Sequence, residues 1–275
     1  MAGRHSIRLQ EIRKQFDHVD DADVLEKAKS NPALSVALRW IRPENWFGCG
    51  LRPEQIMPVA VDSGIPVVWV PPTSVLRALV ASEPADRMGV LMANEAEVVA
   101  QCRLILDECS DPWVSEERAL IGRSLDAYLG GFHEATMTLA VAVGEPLAQW
   151  ASVPRVQLFE SDEAEQVWEA NREERKYKLA RDELAAAGPD TCKSSKVQRY
   201  ALIAPIPKFY TPFHGRPGEK IPDTVSRHAT VHQPKIEHLS KENALLAVML
   251  CVSLLRQQQD WAEEVRDYDS DWGEG

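Results

Sequence analysis

One run near the C-terminus, Asn243-Ala-Leu-Leu-Ala-Val-Met-Leu-Cys-Val-Ser-Leu-Leu255, places apolar side chains on every side of a helix. A helix that is apolar all round is buried, either in a protein core or in a membrane. Its longest uninterrupted apolar stretch, residues 244–252, is too short to span a bilayer, which takes about 20 residues. We therefore predict a central core helix from Ser240 to about Gln258.

Upstream of this run, the chain has the spacing of amphipathic helices. Apolar side chains recur every three or four residues, and proline or glycine occupies several of the breaks, as is typical of helix starts and ends. The pattern predicts helices over residues 74–82, 94–109, 114–129 and 132–150, a charged helix over 162–187, and helical pieces over 5–40. The fold class expected is mainly α, with three parts: a mostly helical N-terminal extension (1–110), a C-terminal helical bundle (111–258) and an acidic tail (259–275).

Two segments do not fit this helical pattern. Ile65-Pro-Val-Val-Trp-Val-Pro71 predicts a short extended segment, because β-branched residues lie between prolines. Residues 188–222 hold six prolines and three glycines, which predicts a long ordered loop with a short strand at Tyr200 to Ala204. A short helix around Val225 to His232 should follow it. Long loops in compact proteins often carry function.

Composition narrows the class of protein. Of 275 residues, 44% are hydrophobic, which is too many for a disordered chain. The first residues lack the apolar stretch of a secretory signal, so we expect a cytoplasmic protein with no membrane partner. Five scattered cysteines include no C-x-x-C pair, so neither a zinc site nor a disulfide framework is predicted, and we expect no metal or cofactor. Cys102, Cys109 and Cys251 lie in apolar helical patterns and are predicted core residues.

The charge of the chain is unevenly distributed. The whole chain carries a net charge of -11, yet residues 172–235 hold thirteen Lys or Arg against seven Asp or Glu. Aromatic residues lie in the same stretch, a mixture that can bind phosphates and stack bases. The alternative is a solvated helix and loop with a few core aromatics, and charge alone favours that alternative.

The candidate site is Ser226-Arg-His-Ala-Thr-Val-His232. No phosphate-loop, dinucleotide, nucleophile-elbow or zincin motif occurs in the chain. On a helix, His228 and His232 share one face, with Arg227 beside them. An imidazole can take a proton from a ribose 2′-hydroxyl or donate one to a leaving oxygen, while a guanidinium stabilises the charged phosphorane. The competing interpretation is a structural Arg-His pair near a helix end, which the spacing alone favours.

Together with the Asn243–Leu255 helix, this motif resembles the end of HEPN domains, in which an arginine, a polar residue, three variable residues and a histidine precede the last helix of a bundle. The segment Arg118 to Thr136 is similar to the first helical pair of that family. The resemblance covers residues 112–258. The chain departs from the commonest form at Ser226, where asparagine often precedes the arginine, and at Gln233, where glycine often follows the histidine.

The resemblance implies a HEPN-type bundle and a metal-independent endoribonuclease. It also implies a homodimer, and a place in toxin–antitoxin or phage-defence systems with a possible antitoxin partner. Arg227 would stabilise the phosphorane, His232 would be the principal acid or base, and His228 would orient the site or share the proton transfer. Weaker candidates for contact with RNA are Lys235, His238, Lys208, Arg216 and Tyr210, and Glu145 or Glu134 could pair with the basic cluster.

Three hypotheses remain open on the sequence. The first is a ribonuclease that uses Arg227, His228 and His232. The second is a catalytically silent module that binds RNA or a nucleotide with strong salt dependence. The third is a helical interaction scaffold whose acidic surface contacts a basic partner.

Overall fold

The computed structural model describes residues 43–46, 49–151 and 197–270. Within these ranges the protein is mainly helical and forms no strand. The α-helices are α1 (Pro53–Ser63), α2 (Thr73–Ala81), α3 (Arg87–Ala93), α4 (Glu95–Glu108), α5 (Ser115–Leu129), α6 (His133–Ala151), α7 (Val197–Ile203), α8 (Ile206–Phe209) and α9 (Lys241–Ser270). Short 3₁₀ turns occur at Glu44–Trp46 and Pro112–Val114, and a π-helical turn at His228–His232.

Helix α9 is the centre of the structure, as its all-round apolar pattern predicts. Every residue from Asn243 to Arg256 is buried, and α4, α5 and α6 pack around this helix. The helix does not end near Gln258 as expected but continues to Ser270, so the predicted tail begins as helix. Its continuation still has buried residues, since Gln259 is 1% and Ala262 1% exposed. The Gln259 amide also donates to Glu263 Oε1 at 2.6 Å, one turn further on.

Helices α6 and α9 approach closely at Gly144. A Cβ added to Gly144 would lie 3.0 Å from Cys251 Sγ, so a larger residue here would require the sulfur or the helices to shift by a few tenths of an ångström. Helix α6 runs through Pro146 to Ala151 without ending at the proline. The close packing fixes Glu145, the residue between Gly144 and Pro146, relative to the core.

The segment 65–71 passes through the core with every residue buried, but the prediction that it is extended throughout is wrong, because the chain bends at Val68 and at Trp69, whose φ is 67°. Buried backbone groups need partners, and distant side chains supply them here. Asn45 Nδ2 donates to the carbonyls of Val67 and Pro71 at 2.9 Å each, and Asn45 Oδ1 accepts from Trp69 N at 3.0 Å. Ser253 Oγ on α9 donates to Val68 O at 2.7 Å. These bonds replace the ladder that a neighbouring strand would have provided.

The prediction of a strand at Tyr200 to Ala204 is wrong, because residues 197–203 form helix α7. A short apolar run fits a buried strand and a buried helix equally well, and here Ala201 to Ala204 are all buried beside the core. The predicted helices over 74–82, 94–109, 114–129 and 132–150 are confirmed within a residue or two. The predicted helices over 5–40 and 162–187 lie outside the described residues.

One hydrophobic core extends across the expected boundary at residue 110. It contains Trp46 and Val67 from the N-terminal part and Leu125, Val141 and Leu255 from the bundle. Cys102, Cys109 and Cys251 are buried free thiols in this core, as predicted, and burial raises the pKa of each to about 12. In the part of the chain that is described, no helix is both long and apolar enough to cross a membrane.

Candidate functional site

Ser226 anchors the start of the candidate motif. It is fully buried, and its hydroxyl donates to Thr211 O at 2.8 Å. Its carbonyl accepts from the Thr230 hydroxyl at 2.8 Å and from Thr230 N at 3.0 Å. The chain therefore turns at a fixed point immediately before Arg227, with Thr230 facing inward.

The turn that follows is wider than an α-helix. Gln233 N donates to His228 O at 3.0 Å, a hydrogen bond that spans five residues. The rings of His228 and His232 lie with their centroids 5.5 Å apart and tilted by 53°. His232 is exposed, whereas His228 is partly buried. Two imidazoles that differ in solvent accessibility therefore lie side by side. Turns of the π-helical kind are frequent at functional sites.

Arg227 is held by a carboxylate from another helix. Its Nε donates to Glu145 Oε2 at 2.6 Å, and both side chains are about one-fifth exposed, at 19% and 22%. Gln149, one turn further along α6, donates to Glu145 Oε1 at 3.3 Å. The Nε bond to Glu145 fixes the plane of the guanidinium beside the two imidazoles.

Tyr210 is a buried residue that senses the charges of this ion pair. It is 5% exposed and packs edge-on against Phe209, with ring centroids 5.1 Å apart. Burial raises the pKa of its hydroxyl, and the negative charge of Glu145 raises it further, while Arg227 opposes the effect. Tyr210 therefore stays neutral beside charged groups.

The environment of His228 favours its neutral form. Burial is the largest cause that lowers its pKa, followed by the positive charges of His232, Arg227 and His214, while Glu145 acts in the opposite direction. A histidine with a lowered pKa is unprotonated at neutral pH and can accept a proton. The site therefore contains a base, a nearby second imidazole and a fixed cation.

His238 does not lie in this site as a substrate contact. It is fully buried, Ser226 N donates to its Nε2 at 3.2 Å, and its Nδ1 lies 3.1 Å from Pro222 O. Asn243 Nδ2 also donates to His238 O at 2.9 Å, which ties the residue to the start of α9. Both ring nitrogens are engaged within the protein, so His238 holds the loop that presents Ser226 and Arg227.

The other predicted contact residues divide by location. Lys208 donates to the Asp62 carbonyl and lies against Gly64, where its charge complements the C-terminal end of α1. Arg216 is exposed in a turn that reaches Gln233, and Lys235 is partly exposed two residues after Gln233. Glu145 pairs with Arg227 as anticipated, whereas Glu134 is exposed in the first turn of α6.

Gln149 and His214 belong to the site although the sequence did not indicate them. Gln149 is one helical turn from Glu145, a spacing that could have suggested it. His214 precedes the motif by more than ten residues and has no such local signal.

No protein-family model, curated protein or solved structure matches the chain. Among the residues that the structure describes, no three His, Cys, Asp or Glu side chains come together as metal ligands would. Any functional assignment rests on the side chains themselves.

Proposed function

We propose that this protein is a metal-independent endoribonuclease of the HEPN type, with Arg227, His228 and His232 as its catalytic residues. The observation that carries the proposal is the pair of imidazoles, 5.5 Å apart between ring centroids, beside a guanidinium that Glu145 holds in place. Cleavage by the substrate's own 2′-hydroxyl needs a base, an acid and a cation, which is the set present here.

The roles follow from accessibility and charge. His228, partly buried and favoured as neutral, accepts the proton of the 2′-hydroxyl as that oxygen attacks the adjacent phosphorus. The bond from phosphorus to the 5′-oxygen breaks, and His232 in its protonated form donates a proton to that leaving oxygen. Arg227 neutralises the charge that builds on the non-bridging oxygens. The products are a 2′,3′-cyclic phosphate and a free 5′-hydroxyl.

Incubation of the purified full chain with RNA in EDTA tests the proposal. We expect cleavage with cyclic phosphate ends, no cleavage of the same sequence in DNA, and loss of cleavage in His228→Ala and His232→Ala with the helical circular dichroism unchanged. His133→Gln is a matched control, because twelve residues of helix place it roughly 18 Å from Glu145 along α6. RNA that stays intact while still binding would refute the nuclease proposal and leave the silent binding module.

A further inference from the structure

The turn from His214 to Glu219 encloses a carboxylate with backbone donors. His214 N donates to both oxygens of Glu219 at 3.1 Å, and Arg216 N donates to Glu219 Oε2 at 2.9 Å. Glu219 N in turn donates to Arg216 O at 3.0 Å, which closes the turn. Gly215 and Gly218 adopt positive φ values of 66° and 79°, and the N–H groups of His214 and Arg216, on either side of Gly215, point to the same carboxylate. The result is a concave, anion-binding stretch of backbone.

This anion-binding turn borders the proposed catalytic site. A Cβ on Gly215 would lie 3.0 Å from Gln233 Oε1, and Gln233 directly follows His232. The positive charge of His214 is also among those that lower the pKa of His228. Phe213 is 3% exposed and fixes the turn to the body of the protein. The turn therefore contacts the residue that directly follows His232.

The turn carries positively charged and hydrogen-bond-donating groups that can bind an anionic ligand. The side chains of His214 and Arg216 are exposed, so both can reach a ligand. The two backbone N–H groups that hold Glu219 are equally good donors to a phosphate oxygen. Glu219 is itself held as an anion, since these backbone bonds lower its pKa.

We propose that the turn from His214 to Glu219 is a phosphate subsite for the nucleotide next to the scissile bond, and that Glu219 is an internal occupant which this phosphate displaces. The identity of the ligand as single-stranded RNA rests on the proposed function. Displacement places one phosphodiester on the N–H groups of His214 and Arg216 while its neighbour lies between His228 and His232. Because Glu219 competes with the ligand, removal of its charge strengthens binding.

Binding of a ten-residue oligodeoxynucleotide to the full chain tests the subsite separately from catalysis, because a strand without 2′-hydroxyls is not cleaved. By fluorescence anisotropy at low salt, we expect Glu219→Gln to bind about fivefold more tightly than the unaltered chain, the effect of one unit charge at contact distance. Glu237→Gln removes the same charge from an exposed position outside the turn and should change affinity much less. Equal gains in both variants, or no gain in Glu219→Gln, would overturn the subsite.

A second measurement observes the turn directly. Inorganic phosphate titrated into the amide-labelled chain should shift the His214 and Arg216 N–H resonances, at lower phosphate concentration in Glu219→Gln than in the unaltered chain. Resonances that do not move at any phosphate concentration overturn the subsite even if RNA is cleaved. Specific shifts in a chain that cleaves no RNA sustain the subsite and remove only the nuclease function.

Discussion

Glu145 Oε2 and Arg227 Nε are joined by a 2.6 Å hydrogen bond although 82 residues separate them in the chain. The bond connects helix α6 to the turn that carries both histidines. It therefore makes the position of the guanidinium a property of the folded bundle rather than of the turn alone.

Glu145→Gln should lower kcat/KM for RNA by up to about 100-fold, because a guanidinium displaced by about 1 Å no longer meets the phosphorane oxygens. The measurement is single-turnover cleavage of a short labelled RNA, together with thermal unfolding to verify the fold. Glu134→Gln is the control, since it removes an exposed carboxylate from the same helix. Equal rates for Glu145→Gln and the unaltered chain would show that Glu145 does not position Arg227.

The pH dependence of cleavage should identify His228 as the base. Its pKa is lowered from 6.5, mainly by burial, so its neutral form persists below that pH. Activity therefore rises with pH through a limb that lies below pH 6.5. His214→Gln removes one of the positive charges that lower this pKa, so the limb should move to higher pH. An ascending limb above pH 6.5 in the unaltered chain would assign the base role elsewhere.

The helices could be predicted from the sequence because the pattern of apolar residues that identifies each helix lies within that helix. The apolar spacing of α4, α5 and α6 repeats within each segment, and the all-round pattern of residues 243–255 requires burial wherever the chain folds. The grouping of His228 with His232 also follows from spacing. By contrast, residues 65–71 cross the core only because Asn45 and Ser253, both distant in sequence, satisfy their backbone groups.

The site was less predictable because its partners come from other elements. Nothing near His238 in the sequence indicates that its two ring nitrogens contact Ser226 N and Pro222 O. The sequence alone therefore does not distinguish this buried structural histidine from a residue that contacts RNA. His214 reaches the site through a loop whose path depends on two glycines with positive φ. The spacing of residues in the sequence predicts contacts along one helix, but it does not predict contacts between separate loops.

The burial of His238 predicts a loss of stability at mildly acidic pH. Burial lowers its pKa in the folded state below the ordinary histidine value of 6.5, while hydrogen bonds to Pro222 and Ser226 oppose the effect. The unfolded chain therefore binds the proton more tightly than the folded protein does. The contribution of neutral His238 to the free energy of unfolding is fully present above pH 6.5 and decreases as the pH falls from 6.5 toward the folded pKa. Urea unfolding from pH 5 to 8 measures this decrease. His238→Asn should be less stable at pH 8 and show a flatter pH dependence; an unchanged slope would contradict the assignment.

Asn45 should be one of the costliest polar residues to remove. Its side chain satisfies Trp69 N and the carbonyls of Val67 and Pro71, all buried. Asn45→Ala leaves these groups without that partner and should lower the free energy of unfolding by about 2 to 4 kcal/mol. Asn94→Ala is the matched control, because it loses one partly exposed bond, to Val90 O at 2.8 Å. A similar cost for both variants would mean that the 65–71 segment finds other partners.

The contact between Gly144 and Cys251 predicts a coupling between two substitutions. An alanine Cβ at position 144 would lie 3.0 Å from Cys251 Sγ, so Gly144→Ala should destabilise the protein by about 1 to 3 kcal/mol despite the higher helix propensity of alanine. Cys251→Ala removes the sulfur, so the cost of the added methyl should fall by at least about 1 kcal/mol in the double variant. Gly122→Ala on α5 is the control: nothing lies within 4 Å of its added Cβ, and helix propensity should make it neutral or stabilising. Urea unfolding of the variants measures the coupling. Strictly additive free energies would show that α6 and α9 separate to admit the methyl group. Glu145, which lies next to Gly144, would then shift away from Arg227, and the rate of RNA cleavage would fall as well.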